Sequence, residues 1–371
     1  MRICYFGTYE KRYPRNSIFL KGLYQNEVEV YECHVPLWEK TSNKDVGFGF
    51  SLKFLLSVLV AQIRLIFQYI FLIPQHEIII IGYIGHLDIY LAKVLAYFGR
   101  KKLVFNPLIS LYDTVIMDRQ YYPKSSFKAY LMRFLDRSAC KMSDLVLLDT
   151  DSHIKYFRDT LDLSNIAFQR LFVGADNHVF YPEHRAHHEN IFNVMFFGKY
   201  TPLQGISKII EAANILKSES TIKFTLVGKG QFRNKMENKI NDLGLKNITL
   251  LDWIPYNQLF LKMAEADLIL GIFGDSDKAK RVIPNKVFQA LAVEKPILTA
   301  DTPAIRELLI PDRHIFITEA KPVKIAGKIQ FIRSHEKKRL EVSKNGFHFF
   351  KKKLSINKLG ADLKTILEDI K

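Results

Sequence analysis

The sequence predicts an α/β chain built from two doubly wound domains, each around a parallel sheet. Three observations carry this. Short apolar runs alternate with longer amphipathic stretches, the pattern of parallel strands joined by crossover helices. The alternation halts in a polar, aperiodic segment at 182–190, PEHRAHHEN, and then begins again. The chain has 371 residues and 48% apolar content, more than one core usually accommodates, since single cores stop growing at roughly 250–300 residues.

In the first half, strands are predicted at 2–6, 28–34, 77–82, 102–105, 144–148 and 167–172. Helices are predicted between them at 17–25, 52–72, 87–97, 126–142 and 151–160. The opening MRICYFGTY reads as a first buried strand and lacks the charged and apolar regions of a leader peptide. The segment 54–73, FLLSVLVAQIRLIFQYIFLI, has the length of a membrane span. Gln62, Arg64 and Gln68 lie near its middle, and a central Arg costs about 2.5–3.5 kcal/mol on the insertion scale. The reading therefore favours a helix against a core, or lying at an interface, over a span. In the second half, strands are predicted at 193–197, 223–227, 248–251, 268–272 and 296–299. Helices are predicted at 205–217, 233–243, 256–264, 285–292 and 302–309. The tail from 321 to 371 is helical in composition. His178, His184, His187 and His188 surround the polar break and read as solvated linker residues, with no metal site expected.

The net charge of +16 attracts polyanions: nucleic acid, anionic lipid or phosphorylated small molecules. The tail carries much of it in Lys337, Lys338, Arg339, Lys351, Lys352 and Lys353. It lacks the interleaved aromatics of a nucleic-acid module, so no nucleic acid is expected as partner and an anionic membrane surface is retained. Cys4, Cys33 and Cys140 are widely spaced, which argues against a disulfide framework or a zinc site. A cytoplasmic protein, peripheral on the membrane, is the corresponding expectation.

Glycines follow several strands. Gly7 ends RICYFG, Gly198 and Gly205 lie in FFGKYTPLQG, and Gly228 and Gly230 in FTLVGKG. Glycines there let backbone approach a phosphate and open helices whose N-termini favour anions. None completes GxGxxG, which disfavours a dinucleotide dehydrogenase. The densest cluster is GIFGDSDKAKRVIPNKVFQALAVEKPILTAD. Gly271 and Gly274 form a loop after a strand, and Lys278, Lys280 and Arg281 add charge. Asn285 and Lys286 open a helix after Pro284. A cation in a helix's first turn opposes the dipole, and so makes sense opposite a bound anion.

With these residues the sequence resembles glycosyltransferase family 4, the retaining family with the GT-B fold. LFVGADNHVFYP is similar to the family's NG-V-D-x-x-x-F-x-P turn through Gly174, Asp176, Phe180 and Pro182. FFGKYTPLQG resembles G-R/K-x-x-P-x-K-G, FTLVGKGQ the next glycine loop, and PNKVFQALAVEKPILTAD the nucleotide-binding helix with its following strand. The resemblance implies two Rossmann-like domains facing a central cleft. Residues 1–182 would hold the acceptor, 191–334 the sugar nucleotide, and 335–371 would form a helical tail returning to the first domain. The implied donor is a UDP- or GDP-linked sugar, used without metal or other cofactor, in surface-glycan assembly.

Implied roles follow position by position. Lys199 stands where the family holds the donor diphosphate, and a fixed cation there stabilises the leaving group. Gln204 replaces a second cation, for which Lys280, Arg281 or Lys286 would substitute. Gln289 and Arg281 occupy the places of the family's two glutamates, so both carboxylates are absent. Gly7, Gly198, Gly228, Gly274, Asn285 and Val287 complete the donor set. On the acceptor side stand Thr8, Arg12, Arg15, His86 and Arg119, with Asn106 and Asp113 as polar groups nearest the chemistry. Two rival readings are a GT-B-type sugar-nucleotide epimerase and a non-catalytic relative binding a polyanion or partner.

Overall fold

The computed structural model describes residues 1–38, 52–183 and 190–371. The predicted linker at 182–190, with His184, His187 and His188, lies largely outside the described residues. The chain folds as two units, Met1–Val173 with Ile356–Lys371, and Gly174–Ser355.

Unit 1 runs β1 (Arg2–Gly7), α1 (Pro14–Gln25), β2 (Glu29–His34), α2 (Leu52–Leu72), β3 (Ile78–Ile81), α3 (Asp88–Gly99), β4 (Lys102–Phe105), α4 (Phe127–Met142), β5 (Leu145–Leu148), α5 (Asp151–Leu161) and β6 (Phe168–Arg170). The six strands are parallel in the order β2-β1-β3-β4-β5-β6. Parallel pairing demands a crossover after each strand and covers both faces, which is why β3 reads as four consecutive, fully buried isoleucines. Helices α2 to α5 pack on one face and α1 on the other.

Unit 2 runs β7 (Phe192–Phe197), α6 (Ile206–Ile215), β8 (Ile222–Val227), α7 (Arg233–Asp242), β9 (Ile248–Leu251), α8 (Leu259–Ala264), β10 (Leu268–Leu270), α9 (Asp277–Arg281), α10 (Asn285–Ala292), β11 (Ile297–Ala300), α11 (Pro303–Arg306), β12 (Phe316–Thr318), α12 (Pro322–Ser334) and α13 (Glu336–Lys353). Its sheet order is β12-β11-β10-β7-β8-β9. The order reverses between β7 and β10, and ligands of open parallel sheets bind beyond the strand ends at such a switch point.

Two boundaries differ from the sequence expectation. The turn Gly174–Pro182 belongs to unit 2, because Phe180 is fully buried edge-on against Tyr256 at 4.9 Å and Tyr181 packs on Phe260. The tail divides later than residue 335: α13 stays on unit 2, and only α14 (Ile356–Asp369) joins unit 1. There α14 crosses α1 at glycine on glycine. A Cβ at Gly22 would stand 2.8 Å from the Gly360 Cα, so any side chain would push the helices apart. Strand β12 and the short helix α9 were not predicted.

Candidate functional site

The site in unit 2 is built at the switch point. Strand β7 ends at Gly198, whose φ of +146° suits glycine alone. Across from it, β10 ends in Gly271-Ile272-Phe273-Gly274. A one-turn helix, Pro202–Gln204, bridges the two: Phe273 N–H donates to the Gln204 carbonyl (3.1 Å) and Gly274 N–H to the Leu203 carbonyl (3.2 Å). Gly228, after β8, closes against Gly198. A Cβ there would lie 1.9 Å from the Gly198 carbonyl oxygen. Arg233 fastens this corner by donating to the Gly228 carbonyl at 2.9 Å and the Leu251 carbonyl at 3.1 Å.

Lys286 enters from the first turn of α10. Its Nζ donates to Gln204 Oε1 at 2.6 Å and to the Gly271 carbonyl at 3.3 Å, and lies 3.7 Å from the centroid of the Phe196 ring. The residue is 5% exposed, and desolvation holds its pKa well below the usual lysine value. A Cβ added to Gly198 would be 3.4 Å from this ammonium and 3.5 Å from Gln204 Oε1. Gly198, Gln204, Gly274 and Lys286 are thus brought together around the loop, and the ammonium stands beside the residue that lacks the second cation.

The other donor-side candidates sit differently. Lys199 is exposed on the loop. Lys280 is exposed and pairs with Asp277 at 3.0 Å, and Arg281 ends α9 half-buried. Lys286 alone of the three proposed replacements therefore contacts Gln204 among the described residues. Asn285 is half-buried at the start of α10. Val287 is fully buried, its side chain committed to the core. Gln289 is buried near the Tyr256 phenol; burial raises that phenol well above its ordinary pKa, and the Gln289 side chain partly offsets the rise. Phe196, Tyr256 and Arg233 escaped the sequence reading, since each looks like an ordinary strand or loop residue. A separate cavity of about 180 Å³ opens between the starts of α6 and α7, lined by Thr201, Gly205, Ser207, Phe232 and Lys235.

In unit 1, the residues expected to meet substrate directly are drawn inward. Gly7 has φ +128°, and a Cβ would lie 2.6 Å from Asp88 Oδ2. Thr8 donates its N–H (2.7 Å) and hydroxyl (3.0 Å) to Asp88, which also accepts from Gln62 at 2.8 Å. Arg15 is fully buried, donating to Asn106 Oδ1 at 2.9 Å and to the Leu171 carbonyl, and burial lowers its pKa to about 10. Arg12 is exposed and takes no part. His86 lies 3.1 Å from Asp136, which accepts from the Ser110 hydroxyl (2.6 Å) and the Leu111 and Tyr112 N–H groups. Asp113, 1% exposed, receives its cap from Ser110 and opens a π-helical turn to Asp118, beside which Arg119 lies at 3.5 Å.

Thr8, Arg15, His86, Asn106 and Asp113 therefore belong to a buried polar network at the ends of the sheet strands. Asp88, Asp136, Gln62 and the buried Asp149–His153 pair (2.7 Å) complete it. Sequence missed these last residues, because they sit on amphipathic helices or loop ends where burial leaves no periodic signal. In the network, Arg15 Nη2, Asn106 Nδ2, both ring nitrogens of His86 and His153 Nε2 have no hydrogen-bond partner among the described residues.

Residues 181–349, most of unit 2, match the family model described as glycosyl transferases group 1. Among solved structures, sucrose-phosphate synthase from Thermosynechococcus elongatus is similar at a TM-score of 0.75 and 12% identity, over 100% of this chain and 98% of that one. HepE from Anabaena, in complex with UDP-glucose, is similar at 0.68 and 16%, over 100% of both chains. A glycosyltransferase from Rickettsia africae is similar at 0.67 and 13%, over 100% and 98%. None of the curated proteins compared matches this chain. At these identities the likeness is one of fold, and the chain has the GT-B architecture of two Rossmann-like units.

Proposed function

We propose that the protein transfers a glycosyl group from a nucleoside diphosphate sugar, UDP- or GDP-linked, to a saccharide or lipid-linked acceptor, with retention and without a metal. The observation that carries this is the buried Lys286 ammonium beside Gly198 and Gln204, at the switch point of unit 2. The group 1 match over unit 2 and the UDP-glucose held by HepE support the donor class.

Bond cleavage leaves negative charge on the diphosphate, and a cation fixed in a dry site stabilises it without reorganising. Lys286 would supply that charge. Gly198, having no Cβ, would let the phosphates approach, and the start of α10, which has no side-chain cap, would favour the same anion. Lys199 would add a second charge from the same loop, and the Gln289–Tyr256 pair would bind ribose hydroxyls. In unit 1, Arg15 and Asn106 are fully buried and would hold the strand-end loops that an acceptor meets.

Thermal unfolding with a panel of UDP-, GDP- and ADP-sugars tests the donor, since a ligand selective for the folded form raises the midpoint. Nucleotide release that requires an acceptor distinguishes transfer from epimerisation or simple binding. Unchanged turnover in a Lys199→Ala, Lys286→Met double variant would end the proposal.

A further inference from the structure

Helix α2 carries a surface that the transfer reaction does not explain. Of its 21 residues, only Ala61 and Leu65 are buried. Leu55, Leu59, Ile63, Phe67, Ile70 and Phe71 are each 44–72% exposed. In the same outer layer of unit 1, α3 exposes Tyr97 (76%) and Phe98 (81%), and α4 exposes Phe127 (76%) and Tyr130 (70%). Large apolar side chains exposed in such number mark an interaction site.

Charge identifies the partner. Between residues 52 and 142 the acidic residues are Glu77, Asp88, Asp113, Asp118 and Asp136. Four of them are at most 2% exposed, and Glu77 is engaged by the Arg2 N–H and Lys371. Eight of the twelve basic residues turn outward: Lys53, Arg64, Lys93, Arg100, Lys102, Lys124, Arg133 and Lys141 are exposed. Acid inward and base outward around an aromatic-rich apolar face fits an anionic lipid surface.

The helix is long and apolar enough to cross a bilayer, but its side contacts hold it to the sheet. It is the crossover from β2 to β3. Gln62 donates to Asp88 at 2.8 Å, the Cys33 thiol reaches the Leu65 carbonyl at 3.6 Å, and Tyr69 bonds His76 at 3.1 Å. Insertion across a membrane would tear these from unit 1, whereas lying flat leaves them intact. We infer that the α2–α3–α4 face docks unit 1 onto an anionic bilayer surface, with α2 lying in the plane of the headgroups. This inference stands on unit 1 alone and does not rest on the transferase reading.

The full chain is tested by co-sedimentation with vesicles of phosphatidylglycerol and phosphatidylcholine, and with phosphatidylcholine alone. Binding to the anionic vesicles, weakened by salt, is expected. A Leu59→Glu, Ile63→Glu, Phe67→Glu variant is expected to lose at least about tenfold in partition, since each apolar side chain leaving the interface and each added negative charge acts in the same direction. Arg64→Glu with Lys93→Glu should lose about fivefold for each positive charge removed. Lys351→Glu, Lys352→Glu, Lys353→Glu, on α13 of unit 2, should bind as the parent does. Unaltered thermal unfolding of the variants shows that the fold survives. The inference is overturned if the parent ignores anionic vesicles, if the α2 variant still binds them, or if the α13 variant is released as readily. A parent dimer that the α2 substitutions dissociate, with no vesicle binding, overturns it also and assigns the face to a second copy.

Discussion

Replacing Lys286 by Met separates what the residue does for the fold from what it does for the reaction. The ammonium is 5% exposed, and its contacts are an amide oxygen, a backbone carbonyl and two aromatic rings, with no carboxylate among them. Desolvation accordingly holds its folded-state pKa well below the unfolded value. Below the folded pKa the full cost of burying the charge is present. As pH rises from the folded to the unfolded pKa, the unfolded chain binds more protons than the folded one, and stability increases. At neutral pH, methionine, of similar length and uncharged, removes that cost, while half-buried Gln204 turns its oxygen to water. Replacement of buried ions by apolar residues of similar volume is neutral to stabilising by about 1–4 kcal/mol. A stabilisation near the low end, about 1 kcal/mol, is expected in urea titration. Turnover of the nucleotide sugar should fall by about 10²–10³-fold, the effect of losing one preorganised charge-stabilising group. A residue that weakens the fold and speeds the reaction is retained for the reaction. A Lys286→Met protein that is less stable by more than 1 kcal/mol, or that turns over like the parent, refutes this assignment.

Three further outcomes follow from the same geometry. A bound diphosphate should return Lys286 to its charged form. Above the depressed pKa nucleotide binding is then accompanied by uptake of up to one proton, affinity falls as pH rises through that pKa, and Lys286→Met abolishes the uptake; calorimetry in buffers of different ionisation enthalpy reads this. Gly228→Ala sets a Cβ 1.9 Å from the Gly198 carbonyl oxygen at a φ of +140°, and should cost about 2–4 kcal/mol in urea unfolding; a loss under 0.5 kcal/mol contradicts the packing described. Asp136→Asn turns an amide N–H₂ toward either the Leu111 N–H or the Ser110 and Tyr112 donors, which two different carboxylate oxygens accept. About 2–3 kcal/mol should be lost in urea unfolding, and an unchanged midpoint refutes the network.

All the strands but β12 were legible, because the sheets are parallel and their central strands buried, so that runs such as Ile78–Ile81 stand out as apolar stretches between amphipathic ones. The switch-point loops were legible through the glycines that follow β1, β7 and β8. The missing cation at Gln204 and its candidate replacements were visible too. The choice among Lys280, Arg281 and Lys286 was not, because the contact joins residues 82 positions apart and depends on how α10 packs beneath β7. The polar network of unit 1 was hidden for another reason. Asp136 and Asp88 lie on helices whose apolar stripes fix which face is buried but say nothing about a carboxylate placed at its edge. The boundary at Gly174 was missed because the aromatic pairs that bind that turn to unit 2, Phe180–Tyr256 and Tyr181–Phe260, are contacts distant in sequence.

The most direct measurement is a crystal structure of the chain soaked with UDP, repeated with GDP. One of the two nucleotides should be bound with a β-phosphate oxygen within hydrogen-bonding distance of Lys286 Nζ and against the Gly198 α-carbon. A diphosphate seated elsewhere, for instance in the cavity between α6 and α7 beside Thr201 and Lys235, with Lys286 still held only by Gln204 and Gly271, would contradict the donor site described.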